Sequence, residues 1–337
     1  MFSKNTVLVS SFTNPFVNQT LGSYLTQKYL QNNYNNKILF LSSSHNGVFI
    51  GKNQNCWKEC NMKAMSDDKI PLIRRESGGG TTFVDKGNRL FSFIKKFDGN
   101  VKTEYTVIID ALRNLGFDAK FRGKNDIMIN DKKISGSAYY ISNGVLKHHG
   151  TILIDVNKDK LEKYLNPNKL KLISNGIESN KQRIINLKEI RQDITIEKLD
   201  AALINSFKKF NGMDTEVIQI NDDFIKDKEL FNTIYKKYKS NEFIFNNNPS
   251  FDHFLENKFS FGMLEIQFNC ENNIIKNCHI YSDAVDIYFI DKLKAIFHQQ
   301  NYDLDNLSEL REKLILEIGE KYIFETNEIF EWLKKNL

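Results

Sequence analysis

The order of apolar and polar positions divides the chain into clusters of strands and clusters of helices. Residues 37–50, KILFLSSSHNGVFI, form two apolar runs with Asn46-Gly47 in the polar break, the pattern of two strands around a turn. Over 103–115, Val107, Ile108, Ala111 and Leu112 recur at helical spacing and Gly116 follows, which predicts a helix ended by glycine. From Asp126 to Val156 the pattern becomes strands, with turn signals at Asn130-Asp131 and Asn143-Gly144. Asn-Gly favours a two-residue hairpin because both residues tolerate positive φ. Helical periodicity returns over 196–210 and over Asp222 to Lys239, where Phe231, Ile234 and Tyr235 make one stripe. Asn246-Asn247-Asn248-Pro249-Ser250 is polar and turn-rich and reads as a linker. Beyond it, 259–269 and 274–282 read as paired strands. Leu307, Leu310 and Leu314, then Ile329, Trp332 and Leu333, mark two amphipathic helices. Strands and helices do not alternate regularly, which predicts an α+β architecture over a doubly wound sheet. The expected division is a domain over 1–245, a linker over 246–250 and a small α+β C-terminal domain over 251–337.

Composition narrows the class. At 337 residues the chain exceeds what one core usually serves, which supports two domains. Hydrophobic residues make up 41% and charged residues 26%, the proportions of a folded globular protein. Four cysteines exclude a disulfide framework and point to a reducing compartment. No apolar run is long enough to span a bilayer. The stretch from Met1 to Phe16 lacks a basic start and a small-residue cleavage site, so no signal peptide and no membrane partner are expected and the cytoplasm is the expected location. The net charge of +5 is small and its basic residues are scattered, which argues against nucleic acid.

The most informative stretch is Arg74-Arg75-Glu76-Ser77-Gly78-Gly79-Gly80-Thr81-Thr82-Phe83. Consecutive glycines let the backbone approach a ligand and aim N–H groups at an anion, although a bare Gly-Gly-Gly is more often a flexible turn. The adjacent arginines sharpen the signal, since a guanidinium suits carboxylate or phosphate. Strand alternation puts Arg75 and Ser77 on one face and Arg74 and Glu76 on the other. Glu76 would repel a bound anion, so Arg75 and Ser77 are the expected ligand-facing pair. A second constellation is Asn125-Asp126 with Lys133 and the small residues Ser135, Gly136, Ser137 and Ala138 behind it. A lone Asp is usually a cap, but Asp126 could hold Mg²⁺ through one carboxylate with phosphate and water completing the shell. Lys133 has room beside it for a ligand, against the plain alternative of a solvated hairpin lysine. His148 and His149 are adjacent in a strand, face opposite ways and cannot share a metal, so one of them is expected to touch a ligand. Cys56 and Cys60 have no metal-ligand spacing and no neighbouring base, and read as structural.

RRESGGG with DKGN, then GKND, KKISGSAYY and HHGTILIDV, in that order, resemble the lipoate–protein ligases. KYLNPNKLKL at 163–172 and Arg183-Ile184-Ile185-Asn186-Leu187 extend the resemblance, and the chain from Phe251 onward is similar to the accessory C-terminal domain of the bacterial long form. The resemblance implies a biotin/lipoate ligase-like catalytic domain of mixed, largely antiparallel sheets with flanking helices. It implies an ATP-dependent enzyme that converts lipoate to lipoyl-AMP, releases pyrophosphate and passes the acyl group to a carrier lysine. The implied carriers are lipoyl domains of 2-oxoacid dehydrogenase complexes and the glycine-cleavage carrier protein, and the implied cofactor is Mg²⁺ at Asp126. Lys133 would be the catalytic cation at the acyl carbonyl and the phosphate. Arg75, Gly80, Thr81, Thr82, Phe83, Asn88, Asn125, Thr151, Ser179 and Arg183 would join it at the nucleotide. Arg75, Ser77, Gly78, Gly79, Ser137, Tyr140 and His149 would line the lipoate with Lys133. The loop from Gly176 to Arg183 would fold over the adenylate.

Four positions depart from the family pattern. Val84-Asp85 follows the glycine-threonine stretch where the family has His-Asp, Ser42 replaces a Trp, Tyr140 replaces an Arg, and Asn-Leu-Ala-x-Glu is reduced to Asn18 followed by Gln19, Thr20, Leu21 and Gly22. Several of these line the acyl end, which leaves lipoate against octanoate open. The alternatives are an octanoyl or lipoyl transferase, which needs a pocket cysteine, a medium-chain acyl ligase of the same fold, and a non-catalytic acyl-adenylate binder.

One hairpin sets a geometric test. A two-residue turn at Asn143-Gly144 pairs residues summing to 287, which puts Lys133 and His149 on opposite faces, whereas the resemblance puts both at one ligand. The expectation is a bulge between Lys133 and Ala138, centred on Gly136, or a three- or five-residue loop around Gly144.

Overall fold

A computed structural model describes residues 3–166, 183–245, 253–271, 274–297, 300 and 304–336. The strands among them, in chain order, are β1 (Thr6–Ser10), β2 (Ile38–Ser42), β3 (Gly47–Ile50), β4 (Leu72–Arg74), β5 (Thr82–Val84), β6 (Asn88–Lys96), β7 (Lys120–Arg122), β8 (Asp126–Ile129), β9 (Lys132–Ser142), β10 (Val145–Leu153), β11 (Glu216–Ile220), β12 (His253–Phe259), β13 (Gly262–Glu271) and β14 (Ile274–Ser282). They form a large sheet in the order β11-β1-β2-β6-β10-β9-β8-β7 and two three-stranded sheets, β4-β3-β5 and β12-β13-β14. β1 pairs in parallel with β2 and β11, and β3 with β4, while the remaining strand pairs are antiparallel.

One face of the large sheet packs on the helices Thr103–Asn114 and Ile196–Asn211. Ile108, Leu112, Leu199, Leu203 and Phe207 meet Phe91, Phe93, Ile127 and Ile152 there in one apolar cluster. Burying a Leu or Phe side chain is worth about 1.5–3 kcal/mol, so this layer anchors the sheet. Both helices show their apolar stripe in sequence, and Gly116 takes φ +84° just past the first. The other face is covered at one end by the helix Pro15–Gln31, through Leu21, Leu25 and Tyr29 on Ile38, Phe40 and Ile94. The small sheet β4-β3-β5 covers the next part. Phe259 to Leu333 supply a separate core that joins β12-β13-β14 to the helices Ile287–Ile296, Leu304–Ile318 and Ile323–Lys335. No helix among the described residues is long and apolar enough to cross a membrane.

The structure corrects several expectations. The runs in 37–50 are strands, but not a hairpin: β2 joins the large sheet and β3 the small one. Every residue of both is buried, and each run finds partners on its own sheet in preference to the other. The helix expected from Asp222 to Lys239 is interrupted. Asn221 caps a short 3₁₀ turn at Asp222–Phe224, and Asp227 restarts the chain as the helix Lys228–Lys239 by accepting from Leu230 N. β12 and the helix Ile287–Ile296 were not anticipated. Residues 246–250, expected as the linker, lie outside the described residues.

Candidate active site

The ladder between β9 and β10 is regular from Ser142–Val145 to Ser135–Ile152, with Asn143 and Gly144 at φ +48° and +75° in a two-residue turn. The predicted irregularity lies between β8 and β9. Ile127 pairs with Ser135, but the next residue, Met128, pairs with Lys133, so Ile134 is an extra residue on β9. It packs into the helix-side cluster. The bulge reverses the facing of Lys133 and turns it to the side of the sheet that carries Gly136, Ala138 and His149. The Lys133 carbonyl released from the ladder accepts from Ile185 N at 3.1 Å. Gly136 is not the bulge. Its role is space, since a Cβ there would lie 2.5 Å from Lys133 Nζ.

Register then fixes what shares this face. Asp126, Gly136, Thr151, Leu90 and Ser42 form one row across β8, β9, β10, β6 and β2. Ala138, His149, Ser92 and Phe40 form the next, and Tyr140, Lys147, Ile94 and Ile38 the third. Between the first two rows and the small sheet lies a cavity of about 480 Å³. Lys258–Gly262, Asp283 and Val285 of the C-terminal part also line it.

One end is ionic. Asp126 Oδ1 lies 2.7 Å from Lys133 Nζ and Oδ2 lies 2.7 Å from Arg183. Burial alone would raise the Asp126 carboxyl, but these two charges outweigh it and hold the group below its ordinary value. Arg122, Lys124 and Asn125 border the same end. The opposite end is bounded by Asn18, Gln19 and Gly22 of the first helix, by Phe40 and Ser42, and by Lys147. Phe49, Val84 and Leu90 make the apolar wall between the ends.

The adjacent arginines part company. Arg74 is buried away from the cavity and donates to the carbonyls of Gly51, Lys52, Gln54 and Ile244. Arg75 lines the cavity and donates to Phe49 O, Gly78 O and Gly80 O, which shapes the glycine loop around its guanidinium. Burial lowers its pKa to about 10, which leaves it charged at neutral pH. Gly79 takes φ +88°, and its N–H donates to Ala284 O of the C-terminal part. A Cβ on Gly78 would lie 2.1 Å from that same carbonyl. Glu76 points away from the cavity, where Ser23, Tyr140 and Lys237 donate to it.

Of the expected site residues, Arg75, Gly79, Gly80, Thr81, Thr82, Asn125, Asp126, Lys133, Ser137, His149, Thr151 and Arg183 border one cavity. Ser77, Gly78, Phe83, Asn88 and Tyr140 do not. Ser77 stands behind His149, 2.7 Å from Nε2. Gly78 faces Ala284, Phe83 packs on Tyr164, and the Asn88 amide is held by Asp85. Tyr140 lies in the third row, with its hydroxyl on Glu76. Ser137 borders the cavity, but its hydroxyl turns to Tyr105 OH at 2.5 Å. Ser179 lies outside the described residues. Burial keeps His149 neutral, with its pKa well below the ordinary value. Sequence reasoning missed Lys147, whose signal is alternation: Val145, Lys147, His149 and Thr151 share one side of β10, and a lysine stands among cavity residues. None of Cys56, Cys60 and Cys278, the free thiols among the described residues, borders the cavity.

Residues 14–208 match the model of the lipoyl protein ligase A/B catalytic domain, and 248–333 match the bacterial lipoate protein ligase C-terminus. The chain belongs to the lipoate–protein ligase family. Lipoate-protein ligase A of Blochmanniella floridana is 39% identical, over 83% of this chain and 84% of its own length. Lipoate–protein ligase 1 of Plasmodium falciparum is 34% identical over 98% of this chain and 94% of its own. A crystal structure of a P. falciparum ligase in complex with lipoate superposes with a TM-score of 0.86, at 34% identity over 98% of this chain and 99% of that one. The fold is thus that of the lipoate ligases, with a C-terminal α+β part.

Proposed function

We propose that this enzyme is an ATP-dependent lipoate–protein ligase, with the cavity between the large and small sheets as its active site. The observation that carries the reading is the bulge at Ile134. It aims Lys133 into the ionic end of a cavity whose middle is walled by Phe49, Val84 and Leu90, an arrangement that suits an acyl chain whose carboxylate meets a triphosphate. In the first step a lipoate carboxylate oxygen attacks the α-phosphorus of ATP and pyrophosphate leaves. Two anions must be held together, so fixed cations and aimed N–H groups lower the barrier. Lys133 is the cation at the forming acyl phosphate. Arg183 joins it at the phosphates, Arg75 holds the glycine loop against the substrate, and neutral His149 borders the acyl chain. In the second step the ε-amine of a carrier lysine attacks the acyl carbonyl, and AMP leaves with the bonding electron pair.

The residues present fit Mg²⁺ that arrives with the nucleotide. Asp126 offers a charged carboxylate at the ionic end, and no cluster of three His, Cys, Asp or Glu among the described residues makes a protein cage. Mg²⁺ accepts one carboxylate with phosphate and water, and when bound it would neutralise phosphate charge. The proposed acceptors are lipoyl domains of 2-oxoacid dehydrogenase complexes and the glycine-cleavage carrier protein. Incubation with ATP, Mg²⁺, lipoate and a lipoyl domain should add the lipoyl mass to one lysine, and omitting ATP should prevent it. A carrier that stays unmodified, or is modified without ATP, contradicts the proposal.

A further inference from the structure

Lys147 bounds the end of the cavity opposite the Asp126 cluster. It lies on the same side of β10 as Thr151 and His149, two residue pairs beyond the first row. At about 3.4 Å per residue along the strand and about 4.8 Å between strands, roughly 17 Å separates its backbone from that of Asp126. An extended medium-chain acyl group with its carboxyl end at Lys133 therefore points its tail toward Lys147.

The amine is built in. Lys147 is 4% exposed. Its Nζ would lie 2.6 Å from a Cβ at position 22, so Gly22 makes the space it occupies. The Tyr140 ring lies 5.8 Å from Nζ. Glu76 favours the charged form of the lysine, but the Glu76 carboxylate is already engaged by Ser23, Tyr140 and Lys237. Among the described residues no carbonyl, carboxylate or hydroxyl accepts a hydrogen bond from Lys147. Burial lowers its pKa to about 8, so the amine is mainly protonated at neutral pH. A buried ammonium with unused donors is costly, and a saturated hydrocarbon packed against it leaves that cost in place. An acyl tail with acceptor atoms relieves it. The dithiolane sulfurs are polarizable acceptors, weak ones, at the tail end of lipoate.

We propose that Lys147, in the space left by Gly22 and beneath Tyr140, forms a specificity subsite for the acyl tail that favours a sulfur-bearing chain over a fatty acid of the same length. This inference rests on the ligase reading above. The experiment measures kcat/KM for lipoate and for octanoate in ATP–pyrophosphate exchange, with the full chain and with Lys147→Met, which keeps a long stem and removes the donors. The native enzyme should prefer lipoate by about tenfold, the scale of one net hydrogen bond. In Lys147→Met the two values should converge, chiefly by a gain with octanoate. Equal use of the two acids by the native enzyme overturns the proposal, and does so even if the variant fails to fold. So does a preference that Lys147→Met leaves unchanged. Exchange with neither acid refutes the ligase reading itself, and the subsite with it.

Discussion

Arg74 and Arg75 are neighbours in sequence with opposite duties. The Arg74 guanidinium satisfies four buried carbonyls, and Arg75 sits at the cavity wall holding the glycine loop. Arg74→Ala should therefore cost about 3 kcal/mol of stability, since it strands buried acceptors. Arg75→Ala should raise KM for lipoate or ATP far more than Arg74→Ala does. Urea unfolding and exchange kinetics on both variants read the two effects, and a reversed order would contradict the assignment. Alternation along the strand made this pair legible. The same rule put Ser77 at the ligand, and there it fell short, because His149 on another strand stands between them. His148 carries a pH prediction. It is fully buried, ringed by Phe91, Phe93 and Tyr105, and burial lowers its pKa to about 3. With the folded value below the unfolded value near 6.5, its stability contribution is complete above pH 6.5 and is lost as pH falls toward 3. The loss approaches about 1.4 kcal/mol per pH unit well below 6.5. His148→Phe should flatten unfolding free energy against pH by that slope between about pH 6 and 4. An unchanged slope would mean that His148 is not buried neutral.

The decisive element is the β8–β9 hairpin with its extra residue. A conflict between strand parity and the shared-ligand requirement showed in sequence that either a bulge between Lys133 and Ala138 or an odd loop around Gly144 was needed, and the two-residue turn leaves the bulge. It did not show which residue would bulge. Gly136 was the natural choice on backbone freedom, yet Ile134 is the extra residue because its side chain has an apolar cluster to enter. Gly136 instead lies under the Lys133 side chain, which yields an element-scale prediction. Gly136→Ala places a methyl 2.5 Å from Nζ and must displace the flexible lysine, not the backbone. Stability should stay within about 1 kcal/mol of native while adenylation falls by about tenfold or more. A thermal melt and exchange rates check both halves, and native activity in Gly136→Ala would remove Lys133 from its assigned place. The 103–115 and 196–210 helices were legible because their stripes are local. The separate destinations of β2 and β3 were not, because sheet membership is set by partners far away in the chain.

At the scale of the molecule the C-terminal part forms one wall of the cavity. Ala284 O accepts from Gly79 N at 3.0 Å, and Ser282 N donates to Asn53 O at 2.8 Å. Lys52–Asp291 and Lys58–Glu265 add ion pairs across the same boundary. We propose that the C-terminal part, from His253 onward, moves as a body against the part that carries the large sheet once the acyl-adenylate has formed. Fluorophores at exposed Phe254 and Phe210, each replaced by cysteine in a background without the native cysteines, should report a changed transfer efficiency on addition of lipoate, ATP and Mg²⁺. An efficiency that holds constant through turnover would contradict a moving wall. The account as a whole stands on acyl-adenylate formation at Lys133. Its most direct test is incorporation of labelled pyrophosphate into ATP by the native chain, with and without lipoate, beside Lys133→Ala and Lys132→Ala. Exchange should require lipoate, fall by about 100-fold or more in Lys133→Ala, and persist in Lys132→Ala, whose side chain is exposed. Exchange without lipoate, or equal losses in the two lysine variants, would contradict it.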